Sequence, residues 1–134
     1  MKAYFAAMRA YWNFFGRMRR KEFWQYFLTI LAIILGAIIA DFVIFARSVE
    51  QLGPLCLIMS VVHVVPTLAA SARRLHDVGR SARWLWIAPT GIGALVLIYW
   101  YLLPGQPDTN RFGTAPRRRP ASLLERALEP KVRR

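Results

Sequence analysis

Residues 23–45 read FWQYFLTILAIILGAIIADFVIF, and the one charge in that stretch is Asp41. About 20 consecutive apolar residues suffice for a helix to cross a hydrocarbon layer of roughly 30 Å. This run meets the requirement, and two uncharged windows follow it at residues 52–72 and 84–103. The whole chain of 134 residues is 56% hydrophobic, yet its 19 Lys and Arg against 7 Asp and Glu give a net charge of +12. A water-soluble domain of this size could not enclose so much apolar surface in one core. A disordered basic binder of nucleic acid is poor in apolar residues, and charge alone is a weak argument for nucleic-acid binding when the C-terminal segment offers just Phe112 for base stacking. Segregation of the two residue classes along the chain resolves the conflict. It predicts an all-α membrane protein with three transmembrane helices at residues 23–45, 52–72 and 84–103.

Before the first window, Tyr4, Phe5, Met8, Trp12 and Phe15 recur at spacings of three to four residues, with Lys2, Arg9 and Asn13 mostly elsewhere. That pattern predicts a short amphipathic helix lying in the headgroup region and ended by Gly16. Arg17, Arg19, Arg20 and Lys21 then form a cationic collar against the aromatic belt Phe23, Trp24 and Tyr26. The apolar run starts too late and is too long for a cleaved signal peptide, so the N-terminus is expected to be retained. Within the window, Ala32, Gly36 and Ala40 make a ridge of small residues suited to close helix packing. Asp41, in its last turns, is expected at an exposed interface, the alternative being an intramembrane functional carboxylate.

The second window carries a regular polar pattern: Ser60, His63, Thr67, Ser71 and Arg74 share one helical face, which is expected to turn inward. Pro66 frees a backbone carbonyl there that needs a partner from another group. The single Cys56 has nothing to pair with and reads as a small core residue, with neither metal nor cofactor implied. Residues 73–83 are the densest chemical stretch, holding Arg73, Arg74, His76, Asp77, Arg80 and Arg83 around Gly79, a residue suited to a left-handed helix end. The expectation is one cluster in which Arg74 and Arg80 converge on Asp77 and offer their remaining donors to a phosphate oxygen or a partner's carboxylate. In the third window Pro89, Gly91 and Gly93 could interrupt a helix, but the arms of a hairpin broken there are too short to cross, so the window is read as one span. Residues 1–116 form the membrane domain, and 117–134 read as a basic flexible tail.

Three ordered clusters resemble a known family. Phe15-Gly16-Arg17 leads to Arg20-Lys21-Glu22-Phe23-Trp24; Arg73-Arg74-Leu75-His76-Asp77 is followed by Gly79-Arg80-Ser81 and Trp84; Gly105 precedes Asn110-Arg111-Phe112-Gly113 and Pro116. Across residues 12–116 the chain is similar to the small bacterial inner-membrane proteins of domain-of-unknown-function family 805. The resemblance implies a multi-pass protein of the bacterial plasma membrane and no established biochemical role.

No metal-ligand cluster, phosphate-binding Gly-rich loop or nucleophile with a partner set is present, so an enzyme is not expected. The reading is a binding protein whose Arg17, Arg20, Arg73, Arg74, His76, Asp77 and Arg80 engage anionic phospholipid or a partner membrane protein, with a homo-oligomer as one form of partner. The alternative is a membrane-embedded enzyme or transporter subunit using His76 and Asp77, or His63. With three spans, the six basic residues before the first window and the four within 73–83 lie on the cytoplasmic side, and Arg47 with the eight beyond residue 103 lies outside. The tail fits that path poorly.

Overall fold

The computed structural model describes residues 2–45 and 53–116; the expectations placed on Arg47 and on the tail at 117–134 lie outside the described residues. Among the described residues there are four α-helices, α1 (Lys2–Arg9), α2 (Arg20–Phe45), α3 (Pro54–Asp77) and α4 (Ile92–Leu102), with a 3₁₀ segment at Ala82–Thr90 between α3 and α4. The described residues form helices and no named strand, and two of the helices, α2 and α3, are long and apolar enough to cross a membrane. At 1.5 Å per residue they measure about 39 and 36 Å. Their outward faces are apolar and uncovered, with Ile39, Val43 and Ile44 each more than 60% exposed. In water that surface would be a severe liability, and in hydrocarbon it is the natural boundary.

The two helices run antiparallel, pinned at both ends. Near one end the Tyr26 hydroxyl and Thr67 Oγ1 are hydrogen-bonded at 3.2 Å. At the other, Asp41 on α2 caps the first turn of α3, its Oδ1 accepting from the Leu55 N–H (3.1 Å) and its Oδ2 from the Cys56 N–H (2.8 Å). Pro54, at the helix start, has no N–H to satisfy, and the Leu57 N–H already reaches Gly53 O. Asp41 is thus buried, 3% exposed, and not the exposed interfacial acid that its place near a helix end suggested. A Cβ on Gly53 would run into its carboxyl group. Of the small-residue ridge, Ala32 and Gly36 are exposed and Ala40 is half-buried; the buried positions of α2 are Phe23, Tyr26, Ile30, Ala37 and Asp41.

α1 does not lie apart as a headgroup helix. It packs against α2 and α3, burying Ala3 and Ala7, with the Tyr4 ring stacked 6.2 Å from Tyr26. Its continuation reaches the middle of α3, where the Tyr11 hydroxyl donates to Val62 O at 2.9 Å. Val62 is four residues before Pro66, so this is the carbonyl that proline leaves without its helical donor.

The third apolar window is not one crossing helix. The 3₁₀ segment and α4 meet at Gly91 (φ 71°) and fold back on each other, which brings Trp84 and Trp100 to 5.3 Å, edge to face. The arms are about 18 and 17 Å long, each roughly half a bilayer. Local bonds hold the apex: Thr90 Oγ1 donates to Ile87 O (2.8 Å) and accepts from the Gly93 N–H (3.0 Å). Both ends of this hairpin return to the C-terminal end of α3, where Leu75, Leu97 and Trp100 form one buried cluster. A second cluster, of Ala7, Met18, Phe23, Tyr26, Ile30 and Ala70, sits toward the same end.

Candidate functional site at the basic end

α3 ends in a Schellman turn. The Gly79 N–H donates to His76 O (3.0 Å) and the Arg80 N–H to Leu75 O (2.9 Å), with Gly79 at φ 78° in the left-handed region. This turn holds Asp77 at the point where three separate stretches of chain converge. Asp77 Oδ1 accepts from Arg17 Nε at 3.1 Å and Oδ2 from Arg74 Nη1 at 2.7 Å, and the side chains of both arginines are essentially inaccessible to solvent. The close approach of Gly105 leaves no room for a Cβ beside that carboxylate.

Arg74 spends its other donors inside the fold. Its Nε and Nη2 donate to Tyr101 O at 3.2 and 3.0 Å, and Nη2 also to Leu103 O. With Arg20 Nη1 on Leu102 O (3.1 Å), two guanidinium groups cap the last carbonyls of α4, where a helix leaves its acceptors unpaired and favours positive charge. Arg74 is therefore 0% exposed and cannot reach a lipid headgroup, contrary to the role the sequence suggested for it. Arg80 also departs from expectation. Its guanidinium lies 3.9 Å over the Trp100 ring, a cation–π contact, and the second cation on Asp77 is Arg17.

Arg17 ties the segment after α4 to the collar, donating through Nη1 to Asp108 O (2.6 Å) and through Nη2 to Gln106 O. Gln106 N–H in turn donates to Asp77 O at 2.9 Å. His76 is buried against the same segment: its ring stacks on Phe112 at 3.9 Å, Nδ1 is 3.1 Å from Gly16 O, and its carbonyl accepts from Asn110 Nδ2 at 2.9 Å. Arg73 lies along α3 with Nε on Ala69 O (3.2 Å), while its Nη2 is buried with no hydrogen-bond partner.

The polar face of α3 is directed at other elements. Tyr4 Oη is 2.9 Å from His63 Nε2, whose Nδ1 is 2.7 Å from Met59 O; Thr67 meets Tyr26; Ser71 is buried beside Tyr101; Ser60 is half-buried. Tyr4, Tyr11 and Tyr101 as partners of this face escaped the sequence reading. Their signal was present as three tyrosines in a chain whose α3 carries unmatched hydroxyl, imidazole and carbonyl groups, since a buried Tyr hydroxyl ordinarily finds a partner.

Residues 11–114 match the family described as Protein of unknown function (DUF805). The chain belongs to this family. The inner membrane protein YhaI of Escherichia coli (strain K12) is 37% identical over 120 residues, covering 87% of this chain and 97% of the relative. Inner membrane protein YhaH of the same strain is 36% identical over 124 residues, 90% of this chain and all of the relative. No solved structure matches. The matched span takes in the Arg17–Asp77 pair and the segment through Gly113, and the relatives' names support an inner-membrane location for this family member as well.

Proposed function

We propose that this protein is a multi-pass protein of the bacterial inner membrane, with α2 and α3 crossing and residues 82–102 re-entrant, whose basic cytoplasmic end binds anionic phospholipid headgroups. The observation that carries the reading is the convergence of the 17–21, 73–80 and 106–111 stretches on one end of the helix pair, around a single carboxylate. Arg17 and Arg74 neutralise Asp77 between them and have a structural role. The charges left for headgroups include those of Lys2, Arg20, Lys21 and Arg111, all exposed beside an apolar belt. Each basic residue near an anionic leaflet contributes about 1 kcal/mol of attraction. A binding role is preferred to catalysis because His63, His76 and Asp77, the groups an enzyme would use, are each held in internal contacts.

The test is the lipid that stays with the purified protein after extensive washing in mild detergent. Phosphatidylglycerol and cardiolipin should be enriched over phosphatidylethanolamine relative to the source membrane, and the enrichment should fall at 1 M salt, where the screening length shrinks to about 3 Å. Lipid retained in membrane proportions would overturn the reading. If a stoichiometric acidic protein is retained with it, the basic end serves a partner; without one, it serves topology alone.

A further inference from the structure

A cavity of about 560 Å³ opens beside the collar, between α1, the first turns of α2 and the end of α3. Its size falls in the range of roughly 300–1,000 Å³ common for small-ligand sites. Lys2, Arg17, Arg19, Lys21 and Arg73 line it, and Glu22 is the one carboxylate among the lining residues. Arg17 is already paired with Asp77. Among the described residues the ion pairs are the two at Asp77, so Lys2, Arg19, Lys21 and Arg73 face the cavity without a carboxylate of their own. Glu22 makes no ion pair with any of the four; its Oε2 accepts from the Arg19 backbone N–H at 3.4 Å, and its charge acts on Arg73 through space.

Two further features point to an anion. Arg73 Nη2 is a charged donor, buried and without a hydrogen-bond partner, on a side chain that lines the cavity. A donor in that position is costly unless something accepts from it. The cavity also lies at the N-terminus of the 26-residue α2, where the helix dipole and unpaired N–H groups favour negative charge. The rest of its lining is Ala3, Ala6, Ala7 and Met18, with the polar Gln25.

We propose that this cavity binds a phosphate group, with the Arg73 and Arg19 guanidinium forks and the Lys2 and Lys21 ammonium groups around its oxygens, the phosphate being that of an anionic lipid whose glycerol and first acyl carbons rest on the alanine face of α1. This deepens the lipid reading above and rests on it: it replaces diffuse attraction by one built site. Guanidinium is the fitting donor, because its planar fork meets phosphate oxygens in pairs. The alanines that α1 contributes to the lining suit a ligand with an apolar end.

The experiment titrates water-soluble dihexanoyl phosphatidylglycerol, dihexanoyl phosphatidylcholine and inorganic phosphate into delipidated full-length protein in nonionic detergent at 0.15 M salt. The same is done for Arg73→Gln, Lys21→Gln and, as a control, Arg83→Gln, an exposed cation outside the cavity. Saturable binding of phosphatidylglycerol in preference to phosphatidylcholine is expected. Arg73→Gln should weaken it about tenfold, the scale of one charge-assisted hydrogen bond, and Arg83→Gln should leave it unchanged. Lys21 is exposed, so its variant reads the site even where loss of Arg73 impairs folding. If inorganic phosphate binds with the same variant pattern and phosphatidylglycerol does not, the site stands for a free phosphate species and its lipid source is refuted. If all three variants weaken phosphatidylglycerol binding equally, attraction is spread over the surface; the cavity site is then refuted while the lipid reading survives. If neither phosphatidylglycerol nor phosphate binds the wild type, the cavity is not a phosphate site, and the washed-lipid measurement decides the broader reading by itself.

Discussion

Asp41 illustrates how one side chain can satisfy a helix it does not belong to. Helix starts are ordinarily capped by a Ser, Thr, Asp or Asn just before the first turn, and α3 instead begins Gly53-Pro54 with no side-chain cap of its own. The donors of Leu55 and Cys56 lie at a helix end facing the apolar interior, so a carboxylate from α2 accepts from both. Replacing Asp41 with Ala should destabilise the protein by about 2–4 kcal/mol, the cost of leaving two such donors unpaired, read as a lowered unfolding midpoint in detergent. Asn keeps one accepting oxygen and should lie between wild type and Ala; an Ala variant as stable as wild type would show the cap to be idle. The sequence contained half of this account. A Gly-Pro start without a cap residue signals a missing acceptor, but nothing in a linear pattern says which acid supplies it across a turn. Asp77 is similar: the RRLHD stretch marked it as the centre of a cluster, whereas its partner Arg17 is 60 positions away and Arg80, three positions away, goes to Trp100.

At the scale of elements, α2 and α3 were legible because a long uncharged run leaves the chain few choices in a membrane. The third window has the same composition but a different solution, because Pro89, Gly91 and Gly93 concentrate the helix-breaking residues near its middle. Arms of half a bilayer cannot cross, yet a re-entrant hairpin need not, provided its backbone bonds are met locally as Thr90 meets them. The proline in α3 is handled differently, by the hydroxyl of Tyr11 on Val62 O. A double-mutant cycle can isolate that bond. Tyr11→Phe should cost about 1 kcal/mol in the wild-type helix and close to nothing with Pro66→Ala, whose restored N–H takes the same carbonyl. Equal costs in both backgrounds would mean that Tyr11 stabilises the protein by packing alone.

For the molecule as a whole, the fold-back of residues 82–102 bears on the proposed topology: with α2 and α3 as the two crossings, the segment after Leu103 returns to the side of the collar. A third crossing would carry the basic residues after Leu103 to the far side, away from the collar. In the structure the segment that follows α4 is instead bound to Arg17, Asp77, His76 and, through Pro116 O, Arg19 at 3.2 Å. With two crossings, Arg47 alone among the 19 Lys and Arg falls in the sequence joining the far ends of α2 and α3. The poor fit between the tail's charge and a three-crossing path then disappears, because the positive-inside rule asks for this distribution. The prediction is that reporters fused at the N-terminus and after residue 134 both read cytoplasmic. A cysteine introduced at Ser48, in a Cys56→Ser background, should be labelled from the periplasmic side. A C-terminal reporter active only in the periplasm would require the hairpin to open into a crossing helix. The contacts of Arg17 with Gln106 and Asp108 could not then exist in the inserted protein, because the two stretches would lie on opposite faces of the bilayer.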